Sequence, residues 1–274
     1  MHDVFIGSEA LENGLLTRGQ LRWRFEPIYP DVYIARGQEP SLAQRIVGAW
    51  LWSRRRGVVA GRAASGWHGA PVADDVDVEL VWRRSRRPDG IVVRDERIGA
   101  DEFVEVDGVR VTTPARTALD LARHAQRDDA VPRLDALARA TGLTARDVEP
   151  LVDRYRGASR MVRAETALRL MDGGARSRRE SAVRLALVDG ALPPAETEIA
   201  VTDGQMTARI ALGYSAPMVG VDFGTGMPEF VTAQGWTIIE FRHAYNMAGL
   251  VGMVRAAVCK RGYPPWRLRL LSRT

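Results

Sequence analysis

Residues 177–224 read SRRESAVRLALVDGALPPAETEIAVTDGQMTARIALGYSAPMVGVDFG, and the reading of this stretch decides the fold. A helix opens at Ser177, carries Glu180 near its start and runs to Asp189, where Gly190 ends it. Pro193-Pro194 forbids its continuation. Strands are predicted at 196–202, 206–213 and 217–223. A further strand at 236–242 and a last helix over 246–261 complete the pattern. A helix, a hairpin, two more strands and a closing helix make an α/β unit of about 100 residues. Asp172-Gly-Gly-Ala175 marks its upstream boundary, so the unit is expected to span 173–274.

Upstream, two further segments are expected. In the first, 1–37, Thr17 can N-cap a short helix over 17–24. Pro27 stops it, and residues 28–35 suit a strand. A short helix followed by strand structure has the local shape of a shortened winged helix. The helix before it, at 8–13, has room for barely two turns. The second segment, 38–172, begins with strands and hairpins and ends in helices. Glu39-Pro40-Ser41 opens a helix with Pro40 in its first turn, and Ala60 to His68 forms another. Strands at 77–82 and 91–94 flank the basic turn Arg83-Arg84-Ser-Arg86-Arg87. Asp107-Gly108 signals a tight hairpin. Helices are predicted at about 114–125, 128–141, 144–156 and 159–171. The expectation is a mixed α/β, multidomain α+β fold.

Composition narrows the function classes. The chain has 274 residues, 46% hydrophobic and 27% charged, which is ordinary for a globular protein. One cysteine, Cys259, excludes an internal disulfide and Cys-rich zinc sites. The longest uncharged runs, 210–221 and 243–254, are too short to span a membrane. No secretory leader is evident, and a cytoplasmic protein is expected. The net charge is +5, and Lys260 is the single lysine among 39 basic side chains. Arginine suits phosphate recognition, and a GC-rich genome supplies it by default.

The chemistry-bearing residues are few. His2, His68, His124 and His243 have no Cys or His neighbour at ligand spacing, so no metal motif is expected. His68 suits a helix end better than catalysis. No Walker loop, Rossmann fingerprint or nucleophile elbow is present. Arg18, Gln20, Arg22 and Arg24 lie on or beside the helix at 17–24, where they can hold phosphates or read bases. Arg83, Arg84, Arg86 and Arg87 can serve as a backbone-contacting wing or as a solvated turn. In the C-terminal unit, Glu180 on a helix and Asp222 at a strand end are placed as metal-dependent nucleases place the carboxylates that gather around Mg²⁺.

A family resemblance rests on Phe5-Ile-Gly-Ser-Glu-Ala-Leu11, Leu16-Thr-Arg-Gly-Gln-Leu-Arg22, Asp31-Val-Tyr33, Ala49-Trp-Leu-Trp-Ser53 and Ser65-Gly-Trp-His-Gly69. Val111-Thr-Thr-Pro-Ala-Arg-Thr-Ala-Leu-Asp-Leu-Ala-Arg123 is its most specific stretch. Ser177-Arg-Arg-Glu-Ser181, Gly190-Ala-Leu-Pro-Pro194, Gly235-Trp236 and Arg255-Ala-Ala extend it to the C-terminal unit. On these the chain resembles the actinobacterial, especially mycobacterial, family related to AbiEi-type antitoxins. In that family a winged-helix segment and a middle domain precede a domain similar to very-short-patch-repair endonucleases. The resemblance implies a restriction-endonuclease-like C-terminal fold. Glu180 matches the family's helix glutamate. The strand aspartate falls on Ala211, the next acidic position on Asp222 and the aspartate after it on Gly224. The histidine and the arginine-rich helix that come next in the family are missing between Thr225 and Gln234.

The resulting expectation is a non-enzymatic DNA-binding protein of antitoxin or regulator type. It would carry a degenerate nuclease-like domain, bind double-stranded DNA and need no cofactor. One alternative is a Mg²⁺-dependent endonuclease built on Glu180 and Asp222, with Glu196, Glu198 or Asp203 filling in. Another is a module that neutralises a toxin by protein contact alone.

Overall fold

A computed structural model describes residues 4–83, 86–241 and 246–264. The chain is a mixed α/β protein, and its described residues form three sheets. It divides into two compact units, Met1–Ala125 with Ala140–Arg169 and Gln126–Arg139 with Leu170–Thr274.

The first unit begins with β1 (Phe5–Ile6), α1 (Gly7–Glu12), α2 (Arg18–Arg24), β2 (Phe25–Tyr29) and β3 (Val32–Ala35). The strands form an antiparallel sheet in the order β1-β3-β2. Residues 28–35, expected as one strand, are split because Asp31 turns the chain at φ 64°. The buried Ile6, Tyr29 and Val32 pack in one cluster with Ile46, Ala49, Leu51 and Leu80. Residues 1–37 therefore share a core with the segment after them and form no separate unit.

Next come α3 (Leu42–Trp52), β4 (Val58–Ala60), α4 (Gly61–Trp67), β5 (Val78–Val81) and β6 (Ile91–Arg94). Ser41 is the N-cap of α3 and makes a capping box with Gln44, so Pro40 lies just outside the helix, not in its first turn. A single 3₁₀ turn (Ala100–Glu102) leads to β7 (Phe103–Val106) and β8 (Val109–Thr112). These pair antiparallel around Asp107 (φ 51°) and Gly108 (φ 76°), the turn expected from Asp-Gly. The sheet order is β6-β5-β4-β8-β7. β5 and β6 run parallel, with Val78 opposite Ile91. β5 and β6 are therefore not the two arms of one hairpin, as a hairpin tip at 83–87 would need.

Thr113 caps α5 (Pro114–His124), with Pro114 at the position where its missing N–H costs nothing. After α6 (Arg127–Thr141), α7 (Ala145–Arg154) and α8 (Met161–Leu168) complete the first unit.

The second unit holds α9 (Arg178–Asp189), β9 (Glu196–Thr202), β10 (Thr207–Tyr214), β11 (Val219–Asp222), α10 (Glu229–Ala233), β12 (Thr237–Glu240) and α11 (Met247–Lys260). Its sheet runs β12-β11-β10-β9. β10 pairs antiparallel with both β9 and β11, and α10 then carries the chain over to a parallel β12. Val183, Leu187, Leu212, Val221, Leu250 and Val254 share one core; Val201, Ile210, Val231 and Trp236 form another. Most of α6 belongs to this unit. Its buried Asp135 accepts hydrogen bonds from Ser181 Oγ, Arg184 and the Asp172 amide, each at 2.7 Å. No helix among the described residues is long and apolar enough to cross a membrane.

Candidate functional site

Helix α2 is a short element held by its ends. Thr17 accepts from the Gln20 amide at 3.2 Å, and the Gln20 side chain accepts from the Thr17 amide at 2.8 Å. Arg36 donates to the carbonyls of Arg22, Trp23 and Phe25 at 2.7, 3.3 and 3.1 Å and so closes the C-terminal end. Leu21 is the buried residue that anchors the helix. At about 100° per residue, Gly19 and Trp23 fall opposite Leu21. Arg18 and Arg22 occupy one shoulder, and Gln20 and Arg24 the other. Trp23 is 78% exposed. The side chains of Arg18, Arg22 and Arg24 are exposed and have no ion-pair or hydrogen-bond partner among the described residues. The capping box takes the carbonyl oxygen of Gln20 and leaves its amide nitrogen free.

The second basic cluster is less unified. Arg83 faces Asp95 at 3.5 Å, Arg86 is exposed, and Arg87 donates to the Ile91 carbonyl at 3.4 Å. Arg84, like His2 and His243, lies outside the described residues. His68 sits at the end of α4, with Nε2 2.7 Å from the Thr112 carbonyl, a packing role.

In the second unit the carboxylates are already engaged. Glu180 Oε2 accepts from the Arg176 amide at 2.9 Å and from Arg209 at 3.2 Å. Arg209 reaches Glu198 at 2.6 Å with the same nitrogen, so one guanidinium bridges the two glutamates. Arg176 adds a two-pronged contact to Glu198 at 2.5 and 2.6 Å. Burial raises the Glu198 carboxyl, but Arg209 and Arg176 outweigh it and hold the group down at about 2. Glu198 takes φ 56°, and it stands opposite Ala211 at the one unpaired step of the β9–β10 register. Asp222 accepts from Thr225 N (3.2 Å), Thr225 Oγ1 (2.6 Å) and Gly226 N (3.2 Å), which fixes the loop after β11. Glu196 accepts from Ser215, and Asp203 closes the turn to Met206.

A third cluster was not foreseen from sequence. Arg116, fully buried, donates to Asp120 at 2.9 Å, to Glu96 at 3.3 Å, to Tyr155 at 3.0 Å and to Glu102. Arg123 donates to Glu96 at 2.9 Å, and His124 Nε2 lies 3.1 Å from Glu96 Oε1. His124, opposed by burial and aided by Arg123, holds the Glu96 carboxyl at about 2. Burial pushes Asp120 up to about 6 against the pull of Arg116. Among the described residues, Glu96, Asp120 and His124 are the group of three ligating side chains gathered closely enough for a metal ion. The available signal was the spacing of Asp120 and His124, four apart on one helix. Glu96 arrives from a loop, and no periodicity announces it.

The chain is similar to two proteins of Mycobacterium tuberculosis. They are uncharacterized protein Rv2248 of strain H37Rv and uncharacterized protein MT2308 of strain CDC 1551 / Oshkosh. Each is 29% identical over 216 residues, which cover 78% of this chain and 74% of the relative. Residues 52–170, from the end of α3 through α8, match the family described as the AbiEi antitoxin C-terminal domain, which bears out the antitoxin-type resemblance over that stretch.

Proposed function

We propose that this is a non-enzymatic, cytoplasmic DNA-binding protein of antitoxin or transcriptional-regulator type, with α2 as the element that meets duplex DNA. The observation that carries the reading is the exposed surface of α2, where three arginine side chains free of internal partners flank the helix and Trp23 stands opposite its buried anchor. Elsewhere in the first unit, Arg54, Arg55, Arg94 and Arg116 are committed to carboxylates. Free guanidiniums on the two shoulders of α2 suit phosphate neutralisation, and the order of short helices and hairpin fits a shortened winged helix. The family match over 52–170 supports the antitoxin class.

The second unit is read as a nuclease-like fold without nuclease chemistry. The order helix, three strands, helix, strand, helix supports the fold. A guanidinium between Glu180 and Glu198, alanine at 211 and an Asp222 spent on its own loop count against a Mg²⁺ site. Mg²⁺-dependent nicking of plasmid that disappears on Glu180→Ala would overturn this part.

The test of the main reading is fluorescence anisotropy with the chain's own upstream DNA and a shuffled duplex, at two salt concentrations. Tighter binding to the upstream duplex is expected, with loss on Arg22→Ala and a salt slope shallower by about one in that variant. Absence of binding at low salt would leave the second reading, a toxin-neutralising protein contact, which the antitoxin family match favours. Co-purification of a toxin without DNA affinity would establish that one instead.

A further inference from the structure

We propose that Glu96, Asp120 and His124 form a binding site for a divalent transition-metal ion of the Zn²⁺ or Mn²⁺ class, a site independent of the DNA-binding reading. One ligating atom from each of the three lies within 4.8 Å of the others. Asp120 and His124 are four residues apart on α5, so both project from one face of that helix. Glu96 reaches them from the segment between β6 and the 3₁₀ turn.

The independent observation is an orphaned atom. Asp120 is 1% exposed, yet its Oδ2 has no hydrogen-bond partner. A buried carboxylate oxygen without a donor is costly, and native structures rarely leave one so. His124 Nε2 lies 3.1 Å from Glu96 Oε1, so an ion would take the place of that contact between two of the ligands. The other oxygens are taken. Arg116 Nε holds Asp120 Oδ1, and Arg123 and Arg116 both hold Glu96 Oε2. Guanidiniums thus fix the carboxylates from behind, as outer-shell partners do at metal sites. Glu96 and His124 are partly exposed, so an ion has a way in.

The donor set selects the ion. One imidazole and two carboxylates leave at least one position for water, and they suit Zn²⁺ or Mn²⁺. Mg²⁺ prefers an all-oxygen octahedral shell and fits poorly. Arg160 approaches His124 Nδ1 at 3.5 Å, and being exposed it can swing away when Nδ1 carries the ring proton. Arg116 and Arg123 repel a second cation, so affinity on the order of micromolar is expected rather than the tight binding of a structural zinc site.

The experiment is isothermal titration of the full, chelator-stripped chain with Zn²⁺ and with Mn²⁺, in the presence and absence of millimolar Mg²⁺. Co²⁺ absorption in the visible range reports nitrogen–oxygen ligation. One ion per chain is expected, insensitive to Mg²⁺ and weakened at least tenfold in both His124→Ala and Glu96→Gln. Asp120→Asn also strips a partner from Arg116, so the two partly exposed ligands carry the test. No binding, or binding that both variants leave unchanged, overturns the proposal; the latter would place the ion elsewhere on the surface.

Discussion

Arg116 and Arg22 are the same side chain put to opposite uses. Arg116 is sealed in and surrounded by Glu96, Glu102, Asp120 and Tyr155, whereas Arg22 is exposed and unpaired. Arg116→Met leaves Asp120 buried without a counter-charge and Glu102 with Arg154 alone, and a loss of about 3–5 kcal/mol is expected in urea denaturation. Arg22→Ala is expected to stay within about 0.5 kcal/mol of the parent and to change binding alone. An equal loss for the two would end the distinction. Glu198 gives a pH-dependent counterpart. Its folded-state value of about 2 lies below the ordinary 4.5, so the ionised form favours the folded chain. That stabilisation is fully present above about 4.5 and fades as pH falls toward 2. The stability gap between the parent and Glu198→Gln should therefore close between pH 6 and pH 2.5, and a gap that widens on acidification contradicts the ion cage. Sequence reading reached these residues unevenly. Thr17-x-x-Gln20 displays its capping box in its spacing. The bridge from Arg209 to Glu180 and Glu198 depends on strand register and on a positive φ at Glu198, which no local pattern encodes.

Single elements show the same division between local and non-local causes. The Asp107-Gly108 hairpin, the cap at Thr17 and the start of a helix at Ser177 were legible because each is decided within four residues. The parallel pairing of β5 with β6 was not, since two short apolar runs around a polar segment read equally as a hairpin. The five-residue α10 was missed because it is too short to show a helical period. Helix α2 has seven residues and a single buried anchor, so its ends matter more than its face. Thr17→Ala removes the acceptor for the Gln20 amide, at a cost of about 1 kcal/mol. Faster amide hydrogen exchange confined to residues 18–24 is expected, with weaker DNA binding although every arginine is intact. Unchanged exchange there would mean that Leu21 and Arg36 suffice to hold the helix.

At the scale of the whole chain, sequence order and spatial order part company at α6. Asp172-Gly-Gly-Ala175 reads as a boundary at 172, and the longer stretch of the second unit runs from Leu170. Yet residues 126–139, some thirty positions upstream, belong to that unit. The polar contacts of Asp135 tie them there. Arg184 on α9 is buried, and its carboxylate partner within the unit is Asp135 of α6 at 2.7 Å. Ser181 Oγ and the Asp172 amide complete the set of donors around that carboxylate. A fragment that starts at 173 would carry a buried guanidinium with no counter-charge, and would lack α6, on which Val131, Leu134 and Leu137 are buried. It is expected to melt without a cooperative transition and to lack near-ultraviolet dichroism. Asp135→Ala in the full chain isolates the charge from the missing helix and should cost about 3–5 kcal/mol. If the fragment melts cooperatively and Asp135→Ala is neutral, α6 is a passenger on the second unit and the boundary returns to 172. If the fragment fails while Asp135→Ala is neutral, the apolar face of α6 holds the unit together and the buried ion pair only sets its register.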